Sequence, residues 1–362
     1  MENTKLKDMY FTREYIETLA GLLSQVTEAF NPECFLAYLE EQGLSNGELK
    51  EKMKIVTQGL HKALTLPYTE ALQILRRIAP KFSGFDSLVF PDFVGTYGLE
   101  EWELSVEALR EFTILCSSEF AVRPFLNLDL NRMMAQMLAW AQDEDERVRR
   151  LASEGCRPRL PWAPGVPALK KDPSLIIPIL ELLRNDLSED VRRSVANNLN
   201  DVSRSHPNLV LDLCESWFGE SEETDKMIKH ALRSMLKAGN TRALRLFGFG
   251  DPEAVSITGL SLTPKDPAVG ADGEYFFDMH VAGEQALQLR LELKVQYMRK
   301  RGKTSQKVFQ IREGIFEPGA HTFRRKFSFM DLSTRKHYPG RHVFRIMVNG
   351  EEKALLEFEL LA

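Results

Sequence analysis

The chain has 362 residues, 43% hydrophobic and 27% charged, with a net charge of −5. That length predicts more than one core, and that composition is ordinary for a globular protein. No apolar run is long enough to span a bilayer, and Met1-Glu2-Asn3-Thr4-Lys5 carries no apolar signal core, so a cytoplasmic protein with no membrane partner is expected. The four cysteines (Cys34, Cys116, Cys156 and Cys214) form no close pair and no metal-ligand spacing, so reduced core thiols are expected, with no metal and no cofactor.

Residues 1–250 read as helix throughout. Tyr15, Leu19, Leu22 and Val26 follow amphipathic helical spacing; a second helix starts near Thr69, after Pro67. A third is predicted over Ser105 to Glu119, with Val106, Leu109, Phe112 and Thr113 on one stripe. Breaks at Asn31-Pro32, Ala79-Pro80, Asp172-Pro173, His206-Pro207 and Ala238-Gly239-Asn240 separate the helices. Within them lies a weak repeat. Glu146-Arg147-Val148-Arg149-Arg150 matches Glu189-Asp190-Val191-Arg192-Arg193 at a period of 43, and Ile228 marks a fainter copy 37 residues later. Helix pairs at such periods predict a HEAT-like solenoid with one concave face.

Near Asp251-Pro252 the period changes to two. Leu287-Gln288-Leu289-Arg290-Leu291-Glu292-Leu293-Lys294-Val295 alternates apolar with polar, and Asn349-Gly350 reads as a hairpin turn. About seven short strands over residues 251–362 predict an immunoglobulin-like sandwich. The fold class is therefore mainly α: a helical-repeat solenoid followed by a small all-β domain. From position 252 on the chain holds 17 basic against 14 acidic residues, so the second domain leans basic inside an acidic protein. An acidic total does not exclude nucleic acid when cations gather on one face.

Three features could carry chemistry. Arg299, Lys300, Arg301 and Lys303 fall in a hairpin loop, with Arg324-Arg325-Lys326 and Arg335-Lys336-His337-Tyr338 beyond; such loops suit phosphates, or merely solvate the domain. Arg147, Arg149, Arg150, Arg157 and Arg159 cluster around one helix, with Arg192 and Arg193 on the next. They suit phosphate oxygens, or pair with Asp143, Glu144, Asp145, Glu146, Glu189 and Asp190. The third is a recurrence: Glu119 in Ser117-Ser118-Glu119-Phe120-Ala121-Val122-Arg123-Pro124 and Glu154 in Ser153-Glu154-Gly155-Cys156-Arg157-Pro158 stand 35 residues apart. Two acids at equivalent helix ends would face one groove, with Asn197, Asn198, Asn200 and Asp201 from the next repeat beside them. Such carboxylates need work or partners; bridges to Arg123 and Arg157 are the structural alternative. Trp162, in the stiff Leu160-Pro161-Trp162-Ala163-Pro164 turn, suits stacking on a sugar or cationic base, or caps a core edge. Gly248-Phe249-Gly250 follows no strand and reads as a linker.

Residues 105–217, above all Arg157-Pro158-Arg159-Leu160-Pro161-Trp162, resemble the HEAT-like DNA-alkylation-repair glycosylases of the AlkC type, some of which carry a C-terminal immunoglobulin-like domain. The resemblance implies a monofunctional DNA-3-methyladenine glycosylase. It would act on double-stranded DNA containing cationic alkylated bases (3-methyladenine, and 3-methylcytosine as a further lesion), as a monomer and without a base-flipping pocket. Carried over by motif, Glu119, Glu154, Trp162 and Asp201 would form the catalytic set. The competing class is a non-enzymatic HEAT-repeat scaffold that binds nucleic acid or protein.

Overall fold

The computed structural model describes residues 6–331 and 336–362. It falls into two compact units: the chain up to Val210 with Gly219–Ala231, and Leu211–Phe218 with Leu232–Ala362. No helix among the described residues is long and apolar enough to cross a membrane.

The first unit is helical. The expected repeat appears as consecutive packing of the Glu146–Gly155, Glu189–Ser203 and Glu222–Ala231 helices. The aligned Val148, Val191 and Ile228 are all fully buried, because each helix turns the same apolar stripe toward its neighbour. Arginines tie each repeat to the next. Arg76 reaches Glu111 35 residues ahead, Arg110 reaches Asp143 33 ahead, Arg149 reaches Asp186 37 ahead and Arg184 reaches Glu220 36 ahead. Most are two-pronged guanidinium–carboxylate pairs, such as Arg149 Nε and Nη2 on Asp186 at 2.6 and 2.9 Å, a geometry only arginine offers.

Two local expectations shift. In the Arg13–Val26 helix the buried stripe is Tyr15, Ile16, Leu19, Ala20 and Leu23, with Leu22 and Val26 only half-buried. The third predicted helix spans Trp102–Thr113 and stops six residues before Glu119. Its apolar stripe is as expected, but hydroxyls compete for the backbone: Ser118 Oγ donates to the Leu109 carbonyl at 2.8 Å and Thr113 Oγ1 accepts from the Ser118 amide at 3.2 Å. Glu119 is thereby placed in a turn rather than on a helix.

Among the described residues the second unit holds the C-terminal part of the Pro207–Trp217 helix, two short helices, Arg233–Lys237 and Thr241–Leu246, and seven strands. These are β1 (Val255–Thr263), β2 (Asp272–Val281), β3 (Leu287–Met298), β4 (Thr304–Phe316), β5 (Gly319–Ser328), β6 (Gly340–Val348) and β7 (Glu351–Leu360). One antiparallel sheet runs β1-β2-β5 and the other β4-β3-β6-β7. The alternation in β3 sends Leu289, Leu291, Leu293 and Val295 into the core against Phe277, Phe344 and Phe358. Asn349 and Gly350 turn β6 into β7 with φ of 45° and 82°, the doubly left-handed turn that matches strand twist.

All four cysteines are free thiols; Cys156 and Cys214 are buried and Cys34 and Cys116 only partly so.

Candidate active site

The helix break before Glu119 and the end of the Glu146–Gly155 helix bring the two glutamates to one place. Both line a cleft of about 510 Å3 with Phe85, Phe120, Arg150, Arg157 and Trp162. Glu119 pairs with Arg150, whose Nη1 donates to Oε2 at 3.2 Å; Ser117 Oγ donates to the same oxygen at 2.8 Å. The expected bridge from Glu119 to Arg123 does not form. Arg150 also approaches Glu154 at 4.0 Å. Glu154 is buried: Oε1 accepts from Arg157 Nη1 at 2.6 Å, and Oε2 from Ser194 Oγ at 2.6 Å. Arg157 Nε donates in turn to Asp201 Oδ2 at 2.9 Å. Burial alone would lower the pKa of Arg157; Glu154 and Asp201 more than offset it and raise it. The result is a chain of alternating charge, Glu119–Arg150–Glu154–Arg157–Asp201, drawn from three successive repeats.

The loop carrying Trp162 is held by its carbonyls. Arg123, fully buried, donates to the carbonyls of Gly155, Arg157 and Pro164 at 2.8, 2.7 and 2.9 Å. Burial pulls its pKa down to about 10, so it remains a cation at neutral pH. Lys50 Nζ donates to the Trp162 carbonyl and stands 4.7 Å over the Phe120 ring. The indole itself is 62% exposed at the cleft rim, and its backbone is left-handed, with φ of 63°. That conformation is rare for a bulky residue and clusters at functional sites. Cys116 also lines the cleft. Burial, with the charge of Glu119, pushes its thiol up to about 12, which leaves a poor nucleophile.

The other expected residues lie apart from this chain. Arg149 is committed to Asp186. Arg159 Nη2 donates to Ser205 Oγ at 2.8 Å, and Arg192 Nη1 donates to the Asp186 and Leu187 carbonyls at 2.5 and 3.0 Å. Arg193 pairs with Asp190. Arg192 and Arg193 nevertheless line a second cleft, of about 400 Å3, with Lys226 and His230. Asn198 and Asn200 serve packing, donating to the carbonyls of Ser153 and Ala231. In the second unit, Arg299, Lys300 and Lys303 are exposed around the β3–β4 turn, and Arg324, Arg325 and Lys326 on β5 are exposed as well. The Arg301 side chain and Arg335 lie outside the described residues, and His337 is buried. No cluster of metal-ligating side chains occurs among the described residues. Sequence reasoning did not find Lys50 or Ser194, cast Arg123 as a bridge to Glu119, and read Arg150 as a phosphate contact or an intra-repeat partner rather than as the partner of Glu119.

Residues 256–362 match the family described as "Uncharacterised protein YhaZ, C-terminal Ig-like domain". The whole chain is 44% identical to "Uncharacterized protein YhaZ" of Bacillus subtilis over 356 residues, 98% of this chain and 99% of that one. It also superposes, with a TM-score of 0.90 and 40% identity over 99% of this chain and 100% of the other, on a Pseudomonas fluorescens protein. That protein is described as alkylpurine DNA glycosylase AlkC bound to DNA containing an abasic site analog.

Proposed function

The chain belongs to the AlkC family, and from that premise we propose that it is a monofunctional DNA glycosylase that hydrolyses the N-glycosidic bond of cationic alkylated bases, 3-methyladenine first and 3-methylcytosine second. The observation that carries the reading is the charge chain in the cleft. Within it three carboxylates alternate with two guanidiniums, and Glu119, at the end that lines the open cleft, offers a carboxylate to a cationic base and a developing sugar cation.

The chemistry asks little of a general acid. Alkylation gives the base a positive charge, so when the glycosidic bond breaks its electron pair returns to the base, which leaves neutral. Positive charge then builds on C1′ of the deoxyribose, and a fixed carboxylate stabilises it. Glu119 suits this role. Ser117 and Arg150 both engage its Oε2, and no described side chain donates to Oε1, which is left for water. That water adds its oxygen to C1′ and passes a proton to Glu119, leaving an abasic deoxyribose. Glu154, with both oxygens engaged and 5% exposed, holds Arg150 and Arg157 in place. Asp201 anchors Arg157 from behind. Trp162 stacks on the cationic base or the sugar and excludes water. The cleft opens at the surface beside the exposed indole, which favours attack on a base still in the stack over capture in a closed pocket. Arg193 and Lys226, at the second cleft, lie along the same helix row and suit the phosphates of one strand.

A scaffold reading draws on the arginine rungs between repeats, which need no catalysis. The test that separates the two is base release from N3-methylated duplex DNA, followed by chromatography of the freed base. Release of 3-methyladenine, with strand breakage only after alkali, is expected. A protein that binds the duplex and frees no base would overturn the glycosylase reading.

A further inference from the structure

Lys50 takes no part in the acid–arginine chain, yet it reaches the strained residue of the cleft. It occupies the first turn of the Leu49–Ala63 helix, which opens on a capping box of Glu48 and Glu51. The positive end of a helix dipole disfavours a cation in that turn, so helix stability does not explain a lysine there. Its ammonium leaves the helix to donate to the Trp162 carbonyl, 112 residues away, and to sit on the Phe120 ring. The desolvation that follows, with repulsion from Lys54, lowers its pKa.

Trp162 gains from such a partner. Its left-handed backbone, φ 63°, is held only if the surroundings over-determine it. Arg123 fastens the loop at Gly155, Arg157 and Pro164, and the Ala163 amide closes a turn onto the Leu160 carbonyl at 3.4 Å, with Pro161 and Trp162 at its centre; the side chain that binds the Trp162 carbonyl from outside that turn is Lys50. Phe120, under the ammonium, is the chain neighbour of Glu119. One cation therefore touches both the peptide that carries the indole and the ring beside the acid.

We propose that Lys50 is a positioning residue: clamped between the Trp162 carbonyl and the Phe120 ring, its ammonium anchors the 160–163 turn against the ring beside Glu119 and so fixes the indole at a set distance from that acid. The catalytic consequence rests on the glycosylase reading of the cleft; the positional claim does not.

Fluorescence of the full chain tests position without activity. Trp162 is 62% exposed, whereas Trp102, Trp140 and Trp217 are 7%, 3% and 4% exposed, so acrylamide quenching reports mainly on the loop indole. Lys50→Met is expected to change the emission maximum and quenching constant of wild type and to leave a Trp162→Phe background unchanged; Lys50→Arg, which keeps a cationic donor, should restore them. Single-turnover release of 3-methyladenine should fall about 10-fold or more in Lys50→Met, since small misplacements of a reacting group cost that much, while affinity for the intact duplex and the unfolding midpoint hold. If Lys50→Met folds poorly, Lys50→Gln carries the same comparison. Quenching and emission identical to wild type in a folded Lys50→Met would overturn the proposal, as would an equal change in the Trp162→Phe background. Should wild type free no base, the glycosylase reading fails while the quenching comparison still decides the role of Lys50.

Discussion

Replacing Glu119 by glutamine isolates charge from shape. Glutamine keeps an acceptor for Ser117 and Arg150 and fills the same space, so the packing around the cleft survives. The Arg150–Glu119 pair is long at 3.2 Å, with 34% and 16% of the two side chains exposed. Pairs of that kind contribute about 1 kcal/mol or less, which shifts the unfolding midpoint by no more than about 4 °C in a chain of this size. Catalysis loses more. A full charge about 4 Å from a developing cation, at an effective dielectric near ~20, interacts by about 4 kcal/mol. Partial neutralisation by Arg150 brings the expected loss to about 100- to 1,000-fold in the single-turnover rate, the range seen when one electrostatic stabiliser is removed. Glu154→Gln should behave in the opposite way. Both of its oxygens accept bonds in a buried network, and leaving Arg157 half-paired there costs about 3 kcal/mol of stability or more. The assay is release of 3-methyladenine under enzyme excess, at matched folded fraction measured by near-ultraviolet circular dichroism. A Glu119→Gln rate within a few-fold of wild type, with Glu154→Gln silent at equal folded fraction, would refute the assignment and move water activation to Glu154.

Three further perturbations separate fold from site. Arg149→Met removes the partner of the nearly buried Asp186 and should cost about 3 kcal/mol near neutral pH. Burial raises the pKa of Asp186, but the Arg149 hydrogen bonds outweigh it and hold it below the ordinary value. Its stabilising contribution is thus present above the unfolded carboxylate pKa of about 4 and lost as pH falls through the folded one. The gap between wild type and Arg149→Met should therefore narrow below about pH 4, and a gap independent of pH in denaturant titrations would contradict the pairing. Trp162→Gly relieves a left-handed side chain, so the protein should gain up to about 1 kcal/mol of stability while base release falls about 10-fold or more from lost stacking; calorimetry and the release assay read the two effects separately. Gly155→Ala brings a methyl within 2.8 Å of Val122 and 2.9 Å of Met137, an overpacking expected to cost about 1–3 kcal/mol, and an unchanged denaturation midpoint would show that the helix end yields freely.

What the sequence made legible was whatever repeats. The period of two exposed the seven strands, and the Asn349-Gly350 turn fixed one hairpin, because both depend on residues close together in the chain. The 43-residue period set Val148 over Val191, and both are buried in stacked helices. Glu119, Glu154 and Trp162 could be proposed together because motif and spacing carried them, and all three line one cleft. The arginines were harder. Asp143, Glu144, Asp145 and Glu146 lie beside Arg147, Arg149 and Arg150 in the chain, yet Arg149 takes Asp186 and Arg150 takes Glu119. Lys50 was beyond reach, since no local pattern links a helix start to a carbonyl 112 residues on.

The contacts also show which signal a repeat protein offers for its site. Four arginine rungs each reach forward 33–37 residues, one repeat ahead. Arg150 reaches back 31 residues to Glu119, and Arg157 reaches forward 44, close to one 43-residue period, to Asp201. Ser194 departs in another way: the 43-residue alignment sets it opposite Leu151, a polar hydroxyl at a position whose equivalent is fully buried and apolar. Its hydroxyl goes to Glu154, 40 residues back. A buried hydroxyl in place of leucine gives up apolar burial and needs a partner, so that substitution marks the stripe position where packing yields to polar contacts. Arg150, Arg157 and Ser194 all converge on Glu154. Glu154 thus ties the network together, and in the function proposed above Glu119, at the open end, is the acid that meets water.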